Sequence, residues 1–180
     1  MTLIDKMLAI HRALRGADVP FAFGGALALA WCTRQARGTI DIDVNLFVDL
    51  DHVRETLAVL PDGIHWTEED LAMLERDGQA RLWWDRTPID LFFNTTDFHL
   101  NAGSRARIEP FEGEEVPFLA CRDLAVFKAF FNRTKDWADL EAMAEADALD
   151  VEAVLGVLAH YLGADDERLE RLRALVPPAR

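Results

Sequence analysis

The segment FAFGGALALAWCTRQARGTIDIDVNLFV, residues 21–48, reads as strand, tight turn, helix and second strand. Phe21-Ala22-Phe23 is short and apolar, Gly24-Gly25 breaks it, and 26–34 is rich in Ala and Leu, as a helix requires. Two glycines at such a turn let the backbone fold back tightly and let an anion approach its N–H groups. The helix N-terminus adds partial positive charge. Ile40, Ile42, Val44, Leu46 and Val48 then alternate with Asp41, Asp43, Asn45 and Phe47, the pattern of a strand with one apolar face. Asp41 and Asp43, two apart within that strand, project from the same side. Aspartate is depleted in strands, and neighbouring carboxylates repel unless a cation lies between them. A divalent ion, Mg²⁺ or Mn²⁺, takes hard oxygen ligands and keeps positions for substrate phosphates, which answers both points. A polar outer strand face is the plainer reading.

Outward from this segment the pattern stays mixed. Leu3, Met7, Ile10 and Leu14 mark an opening helix that Gly16 stops, and Asp51 is placed to cap a helix running to about residue 60. Thr67 with Asp70 makes a capping-box pattern before another helix. Residues 79–84 and 88–93 look like paired strands with a turn around Asp85-Arg86-Thr87, and 108–111 with 115–119 suggests a hairpin around Gly113. From Leu124, Phe127 and Phe131 onward the spacing is helical. Trp137, Leu140, Met143 and Ala144 form the next stripe, and helices over 151–162 and 165–176 end at Pro177-Pro178. The expected fold class is α+β. An α/β core over 1–120, a small mixed sheet flanked by helices, precedes a helical bundle over 121–180 packed on it.

Within that strand pair, Asp90 is a lone acid in the otherwise apolar run Thr87-Pro88-Ile89-Asp90-Leu91-Phe92-Phe93. A carboxylate there is costly unless hydrogen-bonded or close to a cation. Beside the Asp41 strand it makes a third carboxylate, enough for metal-assisted phosphoryl or nucleotidyl transfer. The plainer alternative is a strand-end Asp facing a loop.

Charge narrows the partners. The 180 residues carry 32 acids against 19 bases, a net of −13, and 51% are hydrophobic. So acidic a chain does not coat DNA nonspecifically or settle on an anionic membrane. Residues 141–170 hold nine acids against Arg168 alone, a net of −8, which points to a solvated helical face. The start MTLIDKMLAIHRALR mixes charges into its apolar residues and reads as no secretory signal, so the expected location is cytoplasmic. Cys32 and Cys121 suggest buried thiols and no disulfide framework. The five histidines are scattered without zinc spacing, Ser104 has no nucleophile context, and of Trp83-Trp84, one on each face of a strand, one belongs to the core.

Gly24-Gly25, a helix, Arg37-x-Thr39-x-Asp41-Ile42-Asp43 and a later apolar-Asp90-apolar strand together resemble the polymerase-beta-type nucleotidyltransferase superfamily. The helical motifs Asp123-Leu124-Ala125-Val126-Phe127-Lys128 and Lys135-Asp136-Trp137-Ala138-Asp139-Leu140 resemble those of its AbiEii-like toxin branch. The resemblance spans about residues 19–141. It implies a nucleotidyltransferase that takes an NTP, ATP among the candidates, and that Asp41, Asp43 and Asp90 are catalytic metal ligands. Gly24, Gly25, Arg37, Thr39, Lys128 and Asp136 would bind the nucleotide. On the residues alone, Lys128 is equally a lysine snorkelling beside the Leu124 stripe, Asp136 a first-turn helix acid, and Asp139 a partner for Arg133 or Lys135. In the toxin branch the acceptor is RNA, such as a tRNA end, and the partner an antitoxin. Relatives that modify aminoglycosides or lincosamides are the enzymatic alternative, which the acidity suits better. A non-catalytic nucleotide-binding module is the third, and retention of all three acids argues against it.

Overall fold

The computed structural model describes residues 1–175. Helix α1 (Leu3–Gly16) starts at Thr2, whose hydroxyl accepts from the Asp5 N–H while the Asp5 carboxylate accepts from the Thr2 N–H. It buries Met7, Ile10 and Leu14. Then come β1 (Phe21–Phe23), α2 (Gly25–Thr33) and β2 (Ile42–Leu46). A 3-10 turn at Leu50–His52 leads into α3 (Val53–Ala58), and β3 (Ile64–His65) precedes α4 (Glu68–Asp77), which Thr67 and Asp70 cap reciprocally. Strands β4 (Gln79–Trp84) and β5 (Thr87–Phe93) form a hairpin. After it come α5 (Asp97–Ala102) and the hairpin β6 (Arg107–Phe111) and β7 (Glu114–Phe118). Helices α6 (Cys121–Phe131), α7 (Thr134–Glu145), α8 (Val151–Leu162) and α9 (Glu167–Ala174) complete the described chain. No helix among the described residues is long and apolar enough to cross a membrane.

The strands make one mixed seven-stranded sheet in the order β3-β4-β5-β2-β1-β7-β6. Pairs β2·β5 and β1·β7 are parallel, and the rest are antiparallel. The fold class is α+β, as the residue pattern implied. Alternation separates the faces of β4, β5 and β2. Ala80, Leu82, Trp84, Ile89, Leu91, Phe93, Ile42, Val44 and Leu46 are buried in the core, and each large apolar side chain among them contributes about 1.5–3 kcal/mol of burial. Gln79, Arg81, Trp83, Asp90, Phe92, Asp43 and Asn45 occupy the alternate positions.

Several boundaries differ from the sequence expectation. The strand read over 40–48 is five residues long, and Asp41 lies just before it. Next to β1 on one side and β5 on the other, β2 is covered on both faces near its end, where Asn45 and Phe47 are buried. Asp51 does not cap α3. It sits in the preceding 3-10 turn, where its carboxylate meets the His52 ring at 2.7 Å. The expected helix end at Val176 and the Pro177-Pro178 stop lie outside the described residues.

The chain divides into two compact units: Met1–Leu27 with Gly38–Leu119, and Ala28–Arg37 with the chain from Ala120 onward. The first holds the sheet. The second holds the end of α2 and helices α6 to α9, with Trp137, Leu140, Met143, Leu158 and Leu172 almost fully buried. Within it the Arg171 guanidinium lies 4.2 Å over the Trp137 ring, whose N–H donates to Asn132 Oδ1 at 2.7 Å. Asn132 takes the left-handed conformation that ends α6.

Here also Cys32 and Cys121 form a disulfide, with Cα atoms 5.5 Å apart, which corrects the reading of both as free thiols. Two cysteines 89 residues apart have no telling spacing, so their meeting comes from how α2 and α6 pack. Closing a loop of that length restricts the unfolded chain by about 4–5 kcal/mol. Reduction is therefore expected to lower the denaturation midpoint markedly and to expose two titratable thiols. Equal midpoints with and without reductant would mean that the bond adds nothing to the fold.

Candidate functional site

The carboxylates are positioned by strand register. Asp43 of β2 is the direct partner of Asp90 on the parallel strand β5, and Asp90 is the direct partner of Arg81 on the antiparallel strand β4. Direct partners on neighbouring strands point to the same face about 4.8 Å apart, so Asp43, Asp90 and Arg81 form one row across three strands. Asp41 stands two residues before Asp43, and Thr39 donates its hydroxyl to Asp41 Oδ1.

The glycine pair closes the other side of Asp43. The Gly24 N–H donates to the Asp43 carbonyl oxygen at 2.9 Å. A Cβ at Gly24 would come within 2.6 Å of Asn45 Nδ2, and one at Gly25 within 1.8 Å of Asp43 Oδ2. Gly25 also has φ +53°, the left-handed region that glycine enters freely. Both glycines are therefore required by the acid strand itself, whatever else approaches their N–H groups. From the sequence the pair was expected to allow a tight turn and the approach of an anion, and its packing against Asp43 and Asn45 was not expected.

Arg81 was not among the expected site residues. Its Nε and one terminal nitrogen donate to the two Asp90 oxygens, each at 2.7 Å, and the guanidinium lies 3.9 Å from Asp41 Oδ2. The Asp90 hydrogen bond, then the charges of Asp90, Asp41 and Asp43, raise its pKa above the ordinary value, against a lowering by burial. A signal for it was in the sequence. A two-residue turn at Asp85-Arg86 sets Trp84 opposite Thr87, which places Arg81 opposite Asp90.

The remaining expected residues lie in the second unit. The Lys128 ammonium is 2.6 Å from Asp139 Oδ2 and 4.0 Å from Asp136 Oδ1, and Arg37 reaches the same Asp139 oxygen at 2.9 Å. Asp136 accepts from the Arg133 backbone N–H at 3.2 Å and from its guanidinium at 2.6 Å. The lysine is only 5% exposed, so it does not snorkel. Asp139 pairs with Lys128 and Arg37, where Arg133 or Lys135 had been expected.

For a divalent ion the donor set is chemically suited: hard carboxylate oxygens at Asp41 and Asp43, and at Asp90, whose two oxygens accept from Arg81. Among the described residues no three His, Cys, Asp or Glu side chains converge as a ready cage. Mg²⁺ does not need one, since it is commonly held by one or two carboxylates with waters and substrate phosphates. Asp41 and Asp43 fit that arrangement. A cleft of about 450 Å³ in the first unit, lined by His11, Arg15, Phe21, Ile108 and Glu115, involves none of Asp41, Asp43 and Asp90.

Two changes probe these arrangements. Gly25→Ala must place a Cβ against the Asp43 carboxylate and hold alanine at positive φ. It is expected to cost at least 1–2 kcal/mol in denaturant unfolding, whereas Gly16→Ala, with open space around it, stays near wild type. Lys128→Met removes the ammonium between two buried carboxylates and is expected to cost about 3 kcal/mol. A change within a few tenths would place the ammonium in water.

No protein-family profile matches the sequence, and no curated protein matches it. Among solved structures, the antibiotic-resistance factor ANT(2'')-Ia aligns over 95% of this chain and 89% of its own, with TM-score 0.50 at 14% identity. An antigenic nucleotidyltransferase-like protein of Paracoccidioides brasiliensis aligns over 94% and 85%, with TM-score 0.49 at 11% identity. The likeness to ANT(2'')-Ia is one of fold.

Proposed function

We propose that this chain is a nucleotidyltransferase that moves a nucleoside monophosphate from an NTP onto an acceptor hydroxyl and releases pyrophosphate. The observation that carries the reading is the row itself: Asp43 and Asp90 at partner positions of parallel strands, with Asp41 beside them and the glycine pair pressed on Asp43. In the step, the acceptor oxygen bonds to the α-phosphorus as the bond to the pyrophosphate oxygen breaks. The hydroxyl proton passes to a carboxylate of the row, Asp90 in this assignment. Asp41 and Asp43 would hold Mg²⁺ or Mn²⁺, which when bound supplies positive charge for the phosphoryl oxygens and the leaving group. Thr39 fixes Asp41, and the N-terminus of α2, from Gly25 onward, offers N–H groups to the triphosphate, while the Gly24 N–H is held by the Asp43 carbonyl. Arg37, Lys128 and Asp136 enter nucleotide binding in this reading on the family resemblance.

A cationic small molecule, of the aminoglycoside kind, is the favoured acceptor. The net charge of −13 attracts such a molecule and repels RNA, and the fold neighbour named above is an antibiotic-resistance factor. RNA, with an antitoxin as protein partner, is the second reading. It is supported by the AbiEii-like motifs, whose Lys128, Asp136 and Asp139 meet in one ion-pair network.

Incubation with α-labelled NTPs and Mg²⁺, offered an aminoglycoside and lincosamide panel or total RNA, is expected to label a compound of the panel. Asp43→Asn should fold normally and lose at least 10²-fold in turnover, the scale on which lost transition-state charge stabilisation acts. Near wild-type turnover in Asp43→Asn contradicts the reading. Label on RNA alone would transfer the case to the second acceptor.

A further inference from the structure

We propose that Arg81 is the removable counter-ion of the carboxylate row, and that it and a divalent cation compete for Asp90. The inference rests on the nucleotidyltransferase reading of this site and adds a residue to which no role had been given.

The geometry has three parts. First, both Asp90 oxygens accept from Arg81 in a forked pair, so Asp90 has its preferred donor while Arg81 stays. Second, the same guanidinium reaches within 3.9 Å of Asp41, so a single cation serves two acids of the row. Third, the Arg81 side chain is 47% exposed while those of Asp90 and Asp41 are 14% and 20% exposed. The cation can swing to solvent by side-chain rotation, whereas the acids are fixed by strand register and by Thr39. The mobile partner is the positive one.

A row of acids without a cation would repel itself and weaken the β4·β5·β2 pairing. Arg81 supplies such a charge to Asp90 and Asp41. When a divalent ion enters between Asp41 and Asp43, the need for the guanidinium falls and Asp90 is released to complete the ligand set or to take a proton. Arg81 thus lowers the affinity for a free cation and keeps Asp90 occupied until one arrives.

The test measures Mn²⁺ binding without nucleotide, from the loss of the free-ion paramagnetic resonance signal. Wild type is compared with Arg81→Gln, Arg81→Lys and Arg76→Gln, the last removing an arginine from an exposed pair with Asp77. Arg81→Gln is expected to bind Mn²⁺ on the order of tenfold tighter, since a positive charge beside the ligands is gone. Arg81→Lys should lie between, and Arg76→Gln should match wild type. Melting temperature gives a second readout: Arg81→Gln should melt lower than wild type without cation and gain more from Mn²⁺. Equal or weaker binding in both Arg81 variants would overturn the competition while leaving nucleotidyl transfer standing. Absence of Mn²⁺ binding in every protein would overturn the competition, and absence that persists with a non-hydrolysable NTP analogue present would overturn the metal-dependent reading of the site as well.

Discussion

Carboxylates forced onto one face of one sheet repel each other, and the residues around Asp41, Asp43 and Asp90 answer that repulsion one by one. Thr39 donates to Asp41, Arg81 forks onto Asp90, and the glycine pair leaves the space that Asp43 occupies. Register enforces the proximity: β2 and β5 are parallel neighbours with Asp43 opposite Asp90, so neither acid can retreat without breaking the ladder. The opposite face of the same strands carries the apolar core that pins this register, because a one-residue slip would turn Asp43 and Asp90 into it. Core and site are therefore two faces of one constraint.

The second unit shows how buried charge is handled where packing dominates. Lys128, Asp136 and Asp139 are buried together, with Arg133 and Arg37 completing the pairs at the rim. Each carboxylate has more than one cationic partner, which spreads the desolvation penalty. The Cys32–Cys121 disulfide ties α2 to the start of α6 in the same unit. A bond of this kind belongs with oxidising surroundings, whereas the sequence pattern led toward the cytoplasm.

Most of the fold was legible because it is written in local pattern. The capping boxes at Thr2 and Thr67, the strand alternation of β4 and β5 and the spacing of α6 to α8 each rest on neighbours in sequence. Two short elements were not read: β3 has two residues and α5 six, below the length at which a period declares itself, and unlike β1 and α3 neither was marked by a turn or cap read beforehand. The acids of the site stood out because Asp is unusual inside apolar strands. Arg81 did not, because an arginine on the outer face of a hairpin is ordinary until its register partner is known. The disulfide and the Arg37–Asp139 pair join residues far apart in sequence, which no spacing encodes, and Lys128 reaches Asp139 of the next helix only through the packing of α6 against α7.

If nucleotide and cation meet at Asp41, Asp43 and Asp90, a crystal structure with Mn²⁺ and an NTP analogue that cannot be cleaved between its α- and β-phosphates will show it. Expected are an anomalous peak in coordination contact with Asp41 and Asp43, the triphosphate along the Gly24-Gly25 turn, and Arg81 turned away from Asp90. Nucleotide seated elsewhere, such as in the cleft lined by His11 and Arg15, with the carboxylates still paired as they are here, would contradict it.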